Sequence, residues 1–138
     1  MNGFTIRADN QAPIRFLFYA DSAPETCKAF ASMLPFKRVF VHARTSGQEV
    51  WTDDSPRLDV IQENASVFTE PGEAVIGPSR PLRARTANCM GIYYGEGRGL
   101  DACNIFAKVL DEDLGKLRDL GMKIWTQGAR EIHFEGLP

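Results

Sequence analysis

His42, Arg44, Glu49 and Trp51 are the side chains whose types and spacing could do chemistry in this sequence. They fall in FVHARTSGQEVW, residues 40–51. Ser46-Gly47 reads as a two-residue hairpin turn between two strand-like runs. Such a turn pairs Thr45 with Gln48, Arg44 with Glu49, Ala43 with Val50 and His42 with Trp51. The period of two then places Phe40, His42, Arg44, Glu49 and Trp51 on one face. The other face holds Val39, Val41, Ala43 and Val50, which suits a sheet interior. An imidazole, a guanidinium, a carboxylate and two aromatics on an outer face could hold a small organic molecule or a short peptide. A cation beside aromatics suits a carboxylate-bearing ligand. The plain alternative is a surface pair of Arg44 and Glu49, worth ~0–1 kcal/mol, with His42 and Trp51 packed under a loop or another subunit.

Other constellations are weaker. Glu63 and Asn64 read as turn residues, because an Asn side chain mimics a turn; a polar ligand contact there is the alternative. Cys103 and His42 lack a motif that would make them nucleophile and base, and a buried, inert thiol is the simpler reading. His42, His133 and Glu63 lack the close spacing of a metal site. The sequence therefore assigns no metal, no cofactor and no catalytic residue. Gly95, Gly97 and Gly99 follow a strand but open no helix, so they read as a flexible turn and not a phosphate cradle.

The elements that must position these groups are organised around Ile14 to Leu34. Ile14 to Ala20 is apolar except for Arg15 and reads as a buried strand. Ser22-Ala23-Pro24-Glu25 has the form of a capping box, with Pro24 in the first helical turn. Ala23, Cys27, Phe30 and Leu34 then share a helical face, and Pro35 ends the helix. Residues 3–9 alternate as a half-buried strand and form a hairpin with the strand after them. Residues 37–45 and 48–52 are the strands of the chemistry-bearing hairpin. Residues 53–72 read as a loop, with Leu58 to Ile61 as an extra edge strand. Residues 73–76, 83–94 and 104–110 read as strands. Asp111 to Leu120 reads as a helix capped by Asp111 and stopped by Gly121. Residues 124–126 and 130–134 close the fold as a strand or strand pair.

Part of this pattern resembles a known family. Ile14, Phe16 and Phe18, an acidic corner, then Ala23, Pro24, Thr26 and Phe30 resemble the second strand and first helix of cyclophilins. Ile105 to Leu110, followed by Glu112 and Leu114, is similar to the strand and final short helix of that fold. Over residues 4 to 135 the chain resembles a bacterial group of proteins of unknown function with a cyclophilin-like fold; His42 to Gly47 and Glu63 to Ser66 add to the likeness. The resemblance implies a mainly β protein, a closed antiparallel barrel with two helices capping its ends. It also implies a groove on the outer surface near Arg44, or Arg38. The P-G-F-M-x-Q-G-G-D and N-G-S-Q-F-F segments of cyclophilins have no counterpart here. Ordinary prolyl isomerase activity is accordingly not implied, and a residual or altered isomerase is the enzymatic alternative to a binding protein. A homo-oligomer that covers the same face is the third.

The totals fit one domain. A chain of 138 residues is long enough for a real core, and 43% hydrophobic with 25% charged residues is a globular profile. A formal charge of −2 argues against nucleic acid as a partner. Arg80, Arg83 and Arg85 are the densest basic group and fall short of a stripe. No apolar run approaches the ~20 residues that span a bilayer, so no membrane is implied. Three cysteines without metal spacing suit reduced thiols in the cytoplasm.

Overall fold

The computed structural model describes residues 2–55, 58–77 and 89–138. Among these residues the chain runs β1 (Gly3–Ala8), β2 (Ile14–Phe18), α1 (Pro24–Met33), β3 (Phe36–His42), β4 (Gly47–Thr52), β5 (Ala65–Phe68), β6 (Glu73–Ile76), β7 (Met90–Val109), α2 (Leu114–Gln127) and β8 (Arg130–Gly136). A 3-10 turn, Asp111–Asp113, leads into α2. The expected strand over 83–94 is described only from residue 89 onward, with strand from Met90; Arg80, Arg83 and Arg85 lie outside the described residues.

The strands are antiparallel in the order β2-β1-β8-β3-β4-β7-β5, and β7 also pairs with β6 and β2. The β2–β7 ladder sets Phe16 opposite Val109 and Phe18 opposite Ala107, so β7 returns to the first strand of the order. The interior of this ring is aromatic. Phe4 stacks on Phe16 at 4.8 Å, and Phe30 of α1 lies 4.8 Å from Phe106. Phe4, Ile6 and Ala8 of β1 are buried, as their alternation predicts. The apolar face of α1 is also placed as expected, with Ala23, Cys27 and Phe30 buried. Burying each large side chain is worth roughly 1.5–3 kcal/mol. Leu117, Leu120 and Ile124 of α2 join the same core.

Several expectations are overturned, each for a physical reason. The capping box does not form: the N-cap of α1 is Ala23, with no side-chain cap from that residue. Instead the Glu63 carboxylate, distant in sequence, accepts from the Thr26 N–H at 2.5 Å. Gly121 does not stop α2, which continues to Gln127 and ends at Gly128 with φ 98°. A Cβ on Gly121 would lie 2.2 Å from the Tyr94 ring, so this glycine serves close packing of helix on sheet. Residues 124–126 are consequently helical. The glycines at 95, 97 and 99 are not a turn but lie inside the twenty-residue β7, held by β4 on one edge and β5 on the other. Leu58 to Ile61 forms no strand, although Leu58 is fully buried. The extra strand in that region is β5, which follows Asn64.

Candidate functional site

The hairpin β3–β4 sets the site, and its register differs from the expected one. His42 pairs with Val50 and Val41 with Trp51. The connection is not a two-residue turn: four residues, 43–46, separate β3 from β4. Ser46 turns back within this loop and donates from Oγ to Glu49 Oε1 at 2.5 Å. The pairing is shifted by one residue, and a one-residue shift exchanges the faces of a strand. Phe40 is therefore inside, fully buried and 5.7 Å from Phe134, while Val39 and Val41 face outward. Val50 remains interior as expected. Arg44 does not pair with Glu49, nor His42 with Trp51.

Across β4, Glu49 lies opposite Tyr93 and Trp51 opposite Gly91 of β7. Residues 91, 93, 95, 97 and 99 recur with the strand period, and every one except Tyr93 is glycine. The bare backbone is filled from β4 and from Tyr93 itself. A Cβ on Gly91 would fall 1.9 Å from Glu49 Oε2, one on Gly95 1.9 Å from Gln48 Oε1, and one on Gly97 2.8 Å from the Tyr93 ring.

Above this floor is a cavity of about 660 Å³, inside the ~300–1,000 Å³ range of small-molecule sites. Val41, Trp51, Val75, Leu100 and Ile124 make its apolar walls; Glu49, Tyr93, Thr69, Cys89 and Cys103 supply polar and thiol groups, and His42 and Arg44 also line it. Four of the seven sequence-derived binding residues thus meet here: His42, Arg44, Glu49 and Trp51. They meet by a route other than the expected hairpin face, because β3 ends at His42 and Arg44 lies in the following loop. Arg44 is exposed, with no hydrogen bond or ion pair among the described residues.

Phe40, Glu63 and Asn64 do not line the cavity. Glu63 caps α1, and its N–H donates to Asn104 Oδ1 at 3.1 Å. Asn64 has φ 47° and donates from Nδ2 to the Ile105 carbonyl at 2.8 Å, the turn role its type suggests. Arg38, the other arginine on β3, donates to the Asp54 carbonyl at 2.5 Å and is absent from the cavity lining.

Burial pushes the Glu49 carboxyl above the usual carboxylate range, against hydrogen bonds from Ser46 and Tyr93 that pull it down. Burial also raises Cys89 to about 11 and Cys103 to about 12. Thiols so protonated are poor nucleophiles, so the proximity of Cys103 and His42 to one cavity does not make a catalytic pair. His42 Nδ1 bonds the Ala43 carbonyl at 2.7 Å and Nε2 bonds the Tyr94 hydroxyl at 2.6 Å. Its ring also packs 4.6 Å from Trp125. Among the described residues no three His, Cys, Asp or Glu side chains group to hold a metal, and no helix is long and apolar enough to cross a membrane.

A family defined as "Protein of unknown function (DUF3830)" matches residues 7–135. The chain belongs to this DUF3830 family. Comparison with curated proteins finds no match. Solved structures similar to this DUF3830 chain include McbB in complex with tryptophan, at TM-score 0.79 and 16% identity, covering 96% of this chain and 44% of that one. This chain thus spans less than half the length of McbB. The hypothetical protein AF2241 from Archaeoglobus fulgidus is similar at TM-score 0.65 and 18% identity, over 98% and 94% of the two chains. A cyclophilin-type peptidyl-prolyl cis-trans isomerase of Cryptosporidium parvum is similar at TM-score 0.55 and 19% identity, over 99% of each. Identities this low speak for the fold alone. The fold is mainly β and cyclophilin-like.

The sequence did not point to Ser46, Thr69, Cys89 and Tyr93 as cavity-lining residues. The signal available was the glycine alternation around Tyr93, which marks a strand face cleared of side chains.

Proposed function

We propose that this chain is a binding protein for a small carboxylate-bearing molecule, or for the carboxylate end of a short peptide. The ligand lies in the cavity over β4 and β7. This reading treats the ring of strands as a closed barrel whose outer surface carries the groove. The observation that carries it is the Arg44 guanidinium, which has no partner among the described residues and lines a cavity with apolar walls. Such a group is a fork of donors matched to a carboxylate, and a charge-assisted bond shielded from water is worth ~1.5–3 kcal/mol. Trp51 and Leu100 would cover the apolar part of the ligand.

The test is a thermal-shift and calorimetric screen of aromatic carboxylates, with 3-phenylpropanoate and tryptophan as first probes. Arg44→Ala should weaken binding about tenfold or more, equivalent to ~1.4 kcal/mol, and leave the unfolding midpoint nearly unchanged. A large loss of stability in Arg44→Ala, with no carboxylate bound by the wild type, would assign Arg44 a structural role instead. Acceleration of proline-peptide isomerisation by the wild type, lost in Arg44→Ala, would favour the isomerase reading.

A subunit interface is the second reading. Val39 and Trp125 are more than half exposed beside this face. Light scattering of the wild type and Trp51→Arg separates it: a dimer that the substitution dissolves would support it.

A further inference from the structure

We infer that the floor of this cavity receives a protonated amine, so that the ligand held at Arg44 is a zwitterion with an ammonium group as well as a carboxylate. This rests on the carboxylate reading above and extends it to the other end of the ligand.

Three observations carry it. First, the Glu49 carboxyl is only 9% exposed and is held in place: Ser46 donates to Oε1, while Oε2 lies over the bare backbone of Gly91. Second, no Lys or Arg among the described residues pairs with Glu49, whose polar partners are hydroxyls. A buried carboxylate is costly without a cation, and an ammonium group supplies one. Third, Thr69 Oγ1 is buried, lines the same cavity and has no hydrogen-bond partner among the described residues. Unsatisfied buried hydroxyls are uncommon and ask for a partner. An ammonium carries three N–H donors, so one can go to Glu49 and another to Thr69. The same amine answers the buried charge and the orphaned oxygen. A carboxylate-only ligand answers neither, and its charge would sit in one cavity with Glu49. Trp51 and Val75 in the cavity walls select an apolar side chain. The chemical class is an apolar amino acid, or a short peptide with free termini.

The experiment is calorimetric titration of the full chain with two zwitterions, phenylalanine and alanyl-phenylalanine, against their amine-free counterparts, 3-phenylpropanoate and N-acetyl-alanyl-phenylalanine. At least one zwitterion should bind about tenfold tighter than its counterpart, the scale of one charge-assisted bond. Glu49→Gln should erase that advantage while the counterpart's affinity stays within about twofold. Thr69→Val should weaken the zwitterion alone. If neither zwitterion exceeds its counterpart in the wild type, or Glu49→Gln leaves the advantage intact, the amine site is overturned. Arg44-dependent binding of the counterparts would then remain. If no probe binds, both readings fall. Should Glu49→Gln lose its fold by circular dichroism, the wild-type ratio and Thr69→Val decide.

Discussion

Glu49 on β4 lies over Gly91 on β7, its Oε2 occupying the place where a side chain at residue 91 would begin. The carboxyl reaches the cavity floor because the neighbouring strand has no Cβ there. Gly91→Ala should therefore displace Glu49 and cost ~1–3 kcal/mol, the usual penalty of overpacking. Urea denaturation measures it. A loss below about 0.5 kcal/mol, the range of neutral surface changes, would show that Glu49 swings aside freely.

Glu49 also makes a pH signature. Burial raises its carboxyl above the ordinary 4.5, so the folded state holds this proton more tightly than the unfolded chain. Its contribution is then fully present below the ordinary value and is lost as pH rises through the raised one. Tyr93, Cys89, Cys103 and Asp101 share the cavity, and Glu49→Gln retains all four, so the comparison isolates the Glu49 carboxyl. The stability of wild type relative to Glu49→Gln should accordingly fall as pH is raised from about 4 toward neutrality. A difference that stays flat, or grows, contradicts the buried placement of the carboxyl.

Asp113 behaves in the opposite sense. It is buried at the start of α2 and accepts from Arg15 Nε at 2.8 Å and from the Arg15 backbone N–H at 2.9 Å. The Arg15 side chain holds its carboxyl at about 2, below the ordinary 3.8. The stability this contributes is present above 3.8 and is lost as pH falls toward 2. Arg15 is partly exposed, so solvent screening reduces the gain to roughly 1–2 kcal/mol. Asp113→Asn should lower stability by that amount at neutral pH and by much less in strong acid. Equal losses at both pH values would mean a packing effect and not the ion pair.

The cap of α1 gives a contrast between near and distant residues. Glu63 bonds the Thr26 N–H at the positive end of the helix. Glu63→Ala should cost ~0.5–2 kcal/mol, the worth of a helix cap. Ser22→Ala should cost little, because α1 takes no side-chain cap from the residues before it. Guanidinium midpoints of the two variants rank them directly, and the reverse order would restore Ser22 as the cap.

Local chemistry made much of the fold legible in the sequence. The alternation of Phe4, Ile6 and Ala8, the apolar run from Ile14 and the helical face of Cys27 and Phe30 report burial within single elements. Each pattern repeats at the period of its own element, and the A-P-x-T-x-x-x-F resemblance lies in the same stretch. What only the tertiary structure decided depended on partners far away in the chain. Gly121 looks like a helix stop, but the Tyr94 ring behind it makes it a packing glycine. Glycines 95, 97 and 99 look like a turn, but ladders from β4 and β5 hold them extended. The hairpin register is shifted by one residue, with Ser46 bonded back to Glu49 in the longer loop, so Phe40 points inward and Val41 outward. Arg44 and Trp51 still share a cavity, because the strand ends before Arg44 and the period of two no longer governs it. Thr69 could not be found from sequence, since a hydroxyl without a partner among the described residues is a property of its surroundings and not of its type.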